Sequence, residues 1–83
     1  MNLNEVVDLL KEMVDSCSDL NGGDFLIAPS KVAQSRVEGY EIHMTGKFSE
    51  SAKRYLNDLA IKKKLAIIQH PESVMIYQVR SKP

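Results

Sequence analysis

The chain has 83 residues, of which 43% are hydrophobic and 27% are charged, and its formal net charge is zero. This length suits one small domain, and the composition excludes a disordered chain. No apolar run approaches the roughly 20 residues that a membrane-spanning helix needs. Cys17 is the single cysteine, which excludes an intrachain disulfide. We therefore expect one globular domain in the cytoplasm, without membrane contact.

The first element is an amphipathic helix, because apolar residues recur at spacings of three and four over residues 2–16. Asn2 and Glu5 have the spacing of a capping box at its start. Its opposite face is polar and mostly acidic, with Asp8, Lys11, Glu12 and Asp15. The glycines and short polar residues of 17–23 predict a loop after this helix.

Two strands are predicted next. Residues 25–28 form a short apolar run that Pro29 closes, and residues 40–48 alternate between apolar and polar side chains. The polar face of the second strand carries Glu41, His43 and Thr45, and is expected to be solvated. Residues 30–37 between the two strands are compatible with a helix and with an irregular excursion.

A second helix and a β-hairpin complete the chain. Ser49 is a suitable N-cap for a helix that runs to about Lys64. The β-rich runs 65–68 and 74–79 flank His70 to Ser73, where Pro71 suits the second position of a tight turn. The predicted fold is therefore α+β, a small single sheet with two helices in the order helix-strand-strand-helix-strand-strand.

Both faces of the last strand are apolar. Val74 and Ile76 lie on one face, whereas Met75, Tyr77 and Val79 lie on the other. Either the helices cover both faces of the sheet, or a partner covers one of them. A homodimer formed through the sheet is one interpretation of this pattern.

Charge is divided unevenly along the chain. Residues 1–25 hold six acidic residues and one lysine, a net charge of −5, and residues 26–83 carry a net charge of +5. Half of the basic residues of the second part lie on the helix 51–64. The candidate nucleic-acid-binding residues of this helix are Lys53, Arg54, Asn57, Ile61, Lys62 and Lys64. The alternative is a solvated helix whose final lysines oppose the helix dipole.

No group of residues indicates catalysis, a metal site or a cofactor. His43 lacks the further ligands or partners that a catalytic or metal role requires, and His70 lies in the predicted turn. Cys17 follows the end of a helix beside acidic residues, which disfavours a reactive thiolate. We expect a non-enzymatic regulatory domain that contacts nucleic acid through the basic helix. The alternative is a protein-interaction or assembly module, either a homodimer through the sheet or a contact between the acidic helix and a basic surface.

Overall fold

The computed structural model describes residues 1–30 and 39–78, and these residues form two α-helices, a short 3₁₀ helix and four strands. The elements are α1 (Leu3–Ser16), the 3₁₀ helix (Ser18–Gly22), β1 (Asp24–Pro29), β2 (Tyr40–Thr45), α2 (Glu50–Lys62), β3 (Ala66–His70) and β4 (Ser73–Tyr77). The predicted α+β class and element order are confirmed. Most of the ambiguous stretch 30–37 lies outside the described residues.

The capping box predicted for α1 is present. The Asn2 side chain accepts a hydrogen bond from the Glu5 amide at 2.8 Å, and the Glu5 carboxylate accepts one from the Asn2 amide at 3.0 Å. The loop predicted for residues 17–23 was wrong in part, because a 3₁₀ helix forms there. Leu20 is fully buried in the core, and this burial holds the segment against the rest of the domain.

The strands form one antiparallel sheet in the order β1-β2-β4-β3. Strands β3 and β4 pair as the predicted hairpin, with Pro71 and Glu72 between the paired residues His70 and Ser73. Strand β3 extends past the predicted run 65–68 to His70. Because β3 lies at an edge of the sheet, one of its sides is available to form a groove with α2.

The core lies between one face of the sheet and both helices. Strand residues Ile42, Met44, Val74 and Ile76 are buried on the same face. They join the buried helix residues Val6, Leu9 and Met13 of α1 and Ala52, Leu56 and Leu59 of α2 in one cluster. Each buried aliphatic side chain of this kind contributes about 1.5–3 kcal/mol to folding. In the described part of the chain, therefore, the helices cover one face of the sheet and leave the other face without a helix.

Helix α2 ends two residues before the predicted limit. The Leu65 amide donates to the Ala60 carbonyl at 2.8 Å, and the Lys64 amide donates to the Ile61 carbonyl at 3.2 Å. These bonds define a Schellman motif, in which Lys64 has the left-handed φ of 58°. The motif reverses the chain, so that β3 returns beside α2.

Candidate nucleic-acid interface

A surface groove of about 470 Å³ runs between α2 and β3. We call it the α2–β3 groove, and its lining residues are Glu50, Lys53, Arg54, Asn57, Ile67 and Gln69. The groove lies on the helix-covered side of the sheet, because Ile67 of β3 pairs with the buried Ile76 of β4. It therefore brings three of the sequence-predicted binding residues, Lys53, Arg54 and Asn57, to one place.

The packing of α2 explains why these three residues share a surface. Ala52, Leu56 and Leu59 are buried, so their side of the helix faces the core. With 3.6 residues per turn, positions 53 and 57 lie one above the other, and position 54 lies beside them. Arg54 and Asn57 are exposed, whereas Lys53 is half-buried.

Hydrogen bonds hold both walls of the groove. At the start of α2, the Ser49 hydroxyl accepts from the Ala52 amide at 3.1 Å and donates to the Asp19 carboxylate at 2.7 Å. Across the groove, the Gln69 side-chain amide donates to the Lys53 carbonyl at 3.3 Å. The N-terminus of α2 is thus fixed to the 3₁₀ helix, and its first turns are fixed to β3.

The charge of the groove is positive but partly compensated. Glu50 Oε1 lies 3.8 Å from Lys53 Nζ, so this lysine shares its charge with a carboxylate in the same groove. Arg54 has no ion-pair partner among residues 1–30 and 39–78. An exposed guanidinium without a carboxylate partner is well suited to binding an anionic oxygen bidentately. Within these residues, Arg54 is therefore a cation of the groove whose charge no carboxylate compensates.

The other predicted binding residues do not line the groove. Ile61 lies further along α2 with 70% of its surface exposed. Lys64 is exposed, but it lies after the end of α2, where its left-handed φ forms part of the Schellman motif. Lys62 lines a separate depression between α2 and α1, together with Glu12 and Asp58. The six predicted residues therefore form a central set in the groove and an outlying set beyond it.

Lys63, which was not among the predicted binding residues, forms an ion pair with α1. Its Nζ lies 3.1 Å from Glu12 Oε1, which joins the end of α2 to α1. Both side chains are about two-fifths exposed, and an ion pair of this kind contributes roughly 0–1 kcal/mol. The three consecutive lysines at positions 62–64 thus occupy different environments, although the sequence places them together as one basic cluster.

Sequence reasoning missed the β3 wall of the groove and one residue of the α2 wall. Ile67 and Gln69 belong to β3, and Glu50 occupies the first turn of α2. The alternation of β3 puts positions 67 and 69 on one face, and this signal was available in the sequence. The order of the strands was not available, and it is the edge position of β3 that leaves this wall open beside α2.

The second strand differs from the prediction in two respects: it ends at Thr45 instead of continuing to residue 48, and one of its polar residues is buried. Glu41 was expected on a solvated face, but it is 2% exposed and shares a 2.8 Å hydrogen bond with His43 Nε2. His43 and His70 line a depression of about 230 Å³ on the helix-free face. In the described ranges, however, no group of three His, Cys, Asp or Glu side chains is arranged to hold a metal ion.

Comparisons with known proteins add no assignment. No protein-family model matches the chain, and no curated protein or solved structure matches it. Within residues 1–30 and 39–78, neither helix is long and apolar enough to cross a membrane.

Proposed function

We propose that this chain is a non-enzymatic, regulatory domain that binds nucleic acid in the α2–β3 groove. The observation that supports the proposal is the convergence of Lys53, Arg54 and Asn57 with Gln69 in one exposed, fixed groove. This function belongs in the cytoplasm, where the lone Cys17 stays reduced.

The groove offers the chemical groups that phosphate binding uses. Arg54 and Lys53 supply positive charge to phosphate oxygens, and Asn57 and Gln69 supply neutral amide groups that can hydrogen-bond to phosphates or base edges. Ile67 in the β3 wall and Ile61 beyond the groove provide apolar contacts with sugars or base faces. A polar, open groove with a single apolar side chain fits an extended polymer better than a small, enclosed ligand.

The number of charges predicts weak binding with a marked salt dependence. The groove supplies two cations, Lys53 and Arg54, and an extended polymer that continues along α2 to the outlying Lys64 reaches a third. Neutralising three phosphates of duplex DNA gives a slope of about −3 in log K against log salt. The affinity then falls roughly 40-fold when salt rises from about 50 to about 200 mM. The net charge of zero adds no further attraction.

The direct test is a fluorescence-anisotropy titration of the whole chain with labelled duplex DNA, single-stranded DNA and RNA of about 20 nucleotides at low salt. We expect saturable binding of at least one of these probes. The variant Lys53→Gln/Arg54→Gln should lose at least about tenfold in affinity, because two of three phosphate contacts disappear.

A matched control separates the groove from general electrostatics. Lys11→Gln/Lys62→Gln removes the same charge from two exposed helix positions outside the groove. We expect this control to bind nearly as well as the unmodified chain. Absence of binding to all three probes, or equal losses in both double variants, would refute the proposed site.

A further inference from the structure

We propose that the chain forms a homodimer in which the β1 strands of two copies pair edge to edge and their α1 helices face each other. In the described part of the chain, β1 is an edge strand that pairs with β2 alone. The α2–β3 groove lies at the opposite edge of the sheet. The dimer therefore leaves the groove of each copy open, and the inference is independent of nucleic-acid binding.

The direction of the backbone groups of β1 follows from two hydrogen bonds. The Ser30 amide donates to the Gly39 carbonyl at 2.8 Å, which continues the β1–β2 register and shows that the even-numbered residues of β1 bond β2. The Gly46 amide donates to the Glu72 carbonyl at 2.9 Å, so the even-numbered residues of β2 bond β4 and its odd-numbered residues bond β1. Both bonds give the same result. The residues of β1 whose backbone groups point outward are Phe25, Ile27 and Pro29.

This outward row of backbone groups is complementary to itself. A two-fold axis that is perpendicular to the sheet and passes beside Leu26 places Phe25 of each copy opposite Ile27 of the other. The outward amide and carbonyl groups of both residues then bond across the axis. Pro29 has no amide hydrogen, and it falls opposite Gly23, whose amide already donates to a carbonyl of the 3₁₀ helix. An axis at Ile27 would instead set Pro29 opposite Phe25 and leave the Phe25 carbonyl without a donor.

The side chains of β1 fit the register centred on Leu26. Leu26 is 61% exposed, and it meets Leu26 of the second copy in a non-hydrogen-bonded pair with Cα atoms about 4.5 Å apart. Phe25 and Ile27 form a favourable pair of an aromatic and a β-branched side chain. Asp24 is the charged residue of β1, and the two Asp24 residues lie about 14 Å apart along the strands. Like charges therefore do not meet, and an apolar edge strand becomes covered.

Helix α1 presents an apolar surface on the same side of the domain. The core-facing residues of α1 are Val6, Leu9 and Met13. About a quarter turn away around the helix is a row of four apolar residues. We call this row the α1 stripe, and its members are Leu3, Val7, Leu10 and Val14. Leu3 is 49% exposed and the other three are partly exposed, so the stripe is available for contact with a partner.

The direction of the α1 stripe follows from the position of α2. Lys63 at the end of α2 pairs with Glu12, which lies on the other flank of the core-facing side of α1. Helix α1 contacts β2, whereas α2 contacts β3. Because the strand order is β1-β2-β4-β3, the flank of α1 that lies away from α2 is directed towards the β1 edge. The two-fold axis then turns the stripes of the two copies towards each other, in continuity with the paired β1 strands.

Sedimentation equilibrium of the whole chain tests the dimer. One strand edge and one helix flank make a small interface, so the mass should rise from 9.3 kDa towards twice that value over about 10 μM to 1 mM. Leu26→Lys and Val7→Lys should each raise the dissociation constant at least several-fold, because each places two like charges near the axis. Ile61→Lys is the matched control, since Ile61 is also exposed, at 70%, but lies on α2. A monomer at every concentration, or an equal effect of the control, would overturn the proposal.

Disulfide cross-linking tests the register. In a Cys17→Ser background, Leu26→Cys should form a covalent dimer in oxidised glutathione, because a Cα separation of about 4.5 Å lies within the disulfide range. Ala28→Cys is the matched control on the same strand, since its two copies would lie about 14 Å apart along the strands. Non-reducing electrophoresis measures the products, and circular dichroism confirms that each variant is folded. Cross-linking that is absent from Leu26→Cys, or equal in the control, would contradict this pairing.

Discussion

Glu50 and Lys53 share one wall of the α2–β3 groove, with Oε1 of the glutamate 3.8 Å from Nζ of the lysine. The carboxylate reduces the positive potential at the point where a phosphate would bind. Glu50 also occupies the first turn of α2, where a negative charge stabilises the positive end of the helix dipole. This residue therefore links the stability of α2 to the affinity of the groove, with opposite effects on the two.

We expect Glu50→Gln to increase affinity for nucleic acid several-fold at low salt and to lower stability by about 0.3–1 kcal/mol, the usual size of a helix-dipole contribution. Anisotropy titration and urea unfolding measure the two effects. Glu72→Gln is the control. Glu72 is also exposed and also lies near a lysine, with Oε1 4.0 Å from Lys47 Nζ, but it is outside the groove. A gain in affinity that is as large for the control would show that only net charge matters.

The N-cap of α2 should be important for stability. Ser49→Ala removes the bond from the Ala52 amide and the bond to the Asp19 carboxylate. Loss of an N-cap costs about 1 kcal/mol, with a range of roughly 0.5–2 kcal/mol. The neighbouring exposed Ser51 provides the control, and Ser51→Ala should change the free energy of unfolding by less than about 0.5 kcal/mol. Equal unfolding midpoints in urea for the two variants would argue against the cap.

Lys64→Gly should stabilise the domain. Lys64 occupies the left-handed position of the Schellman motif, which costs a residue with a Cβ roughly 1–2 kcal/mol and suits glycine. A gain of about 1 kcal/mol would raise the melting temperature by about 4–8 °C in a domain of this size. Lys62→Gly, at the last helical position, should instead destabilise by about 0.5–1 kcal/mol. If the melting temperatures of both variants shifted in the same direction, this result would contradict the motif.

Gly39 should tolerate no side chain. Its φ is +132°, and a Cβ built there would collide with the backbone carbonyl oxygen of Met1. This carbonyl also accepts a 2.7 Å hydrogen bond from the Tyr40 amide at the start of β2. Gly39→Ala is expected to destabilise by more than about 1 kcal/mol. Gly22→Ala meets nothing within 4 Å and should be close to neutral in chemical denaturation. A neutral Gly39 variant would refute this docking of the N-terminal backbone.

Much of the fold could be predicted because the signals are local. The spacing of Asn2 and Glu5 indicated the start of α1, and Ser49 marked the start of α2. The alternation of residues 40–48 located β2, although the strand ends at Thr45. The end of α2 was misplaced because the left-handed position is held by Lys64 instead of the usual glycine. Glu41 was misjudged because its burial depends on tertiary packing, which its position in an alternating strand does not report.

The sequence predicted three of the six residues that line the groove. Helical spacing brought Lys53, Arg54 and Asn57 together correctly, since the inner side of α2 is recognisable from its apolar residues. The same spacing failed at Lys64, where the helix has already ended. Gln69 was missed because the wall it forms depends on the strand order of the sheet, a long-range property that local patterns do not encode.

The salt dependence of binding tests the central claim most directly. The slope of log K against log salt should be about −3 for the unmodified chain on duplex DNA, and about −1 for Lys53→Gln/Arg54→Gln, because each lost phosphate contact changes it by about 0.9. The control Lys11→Gln/Lys62→Gln should keep a slope near −3. A slope that is unchanged in the groove variant, or lost equally in the control, would contradict nucleic-acid binding in the α2–β3 groove.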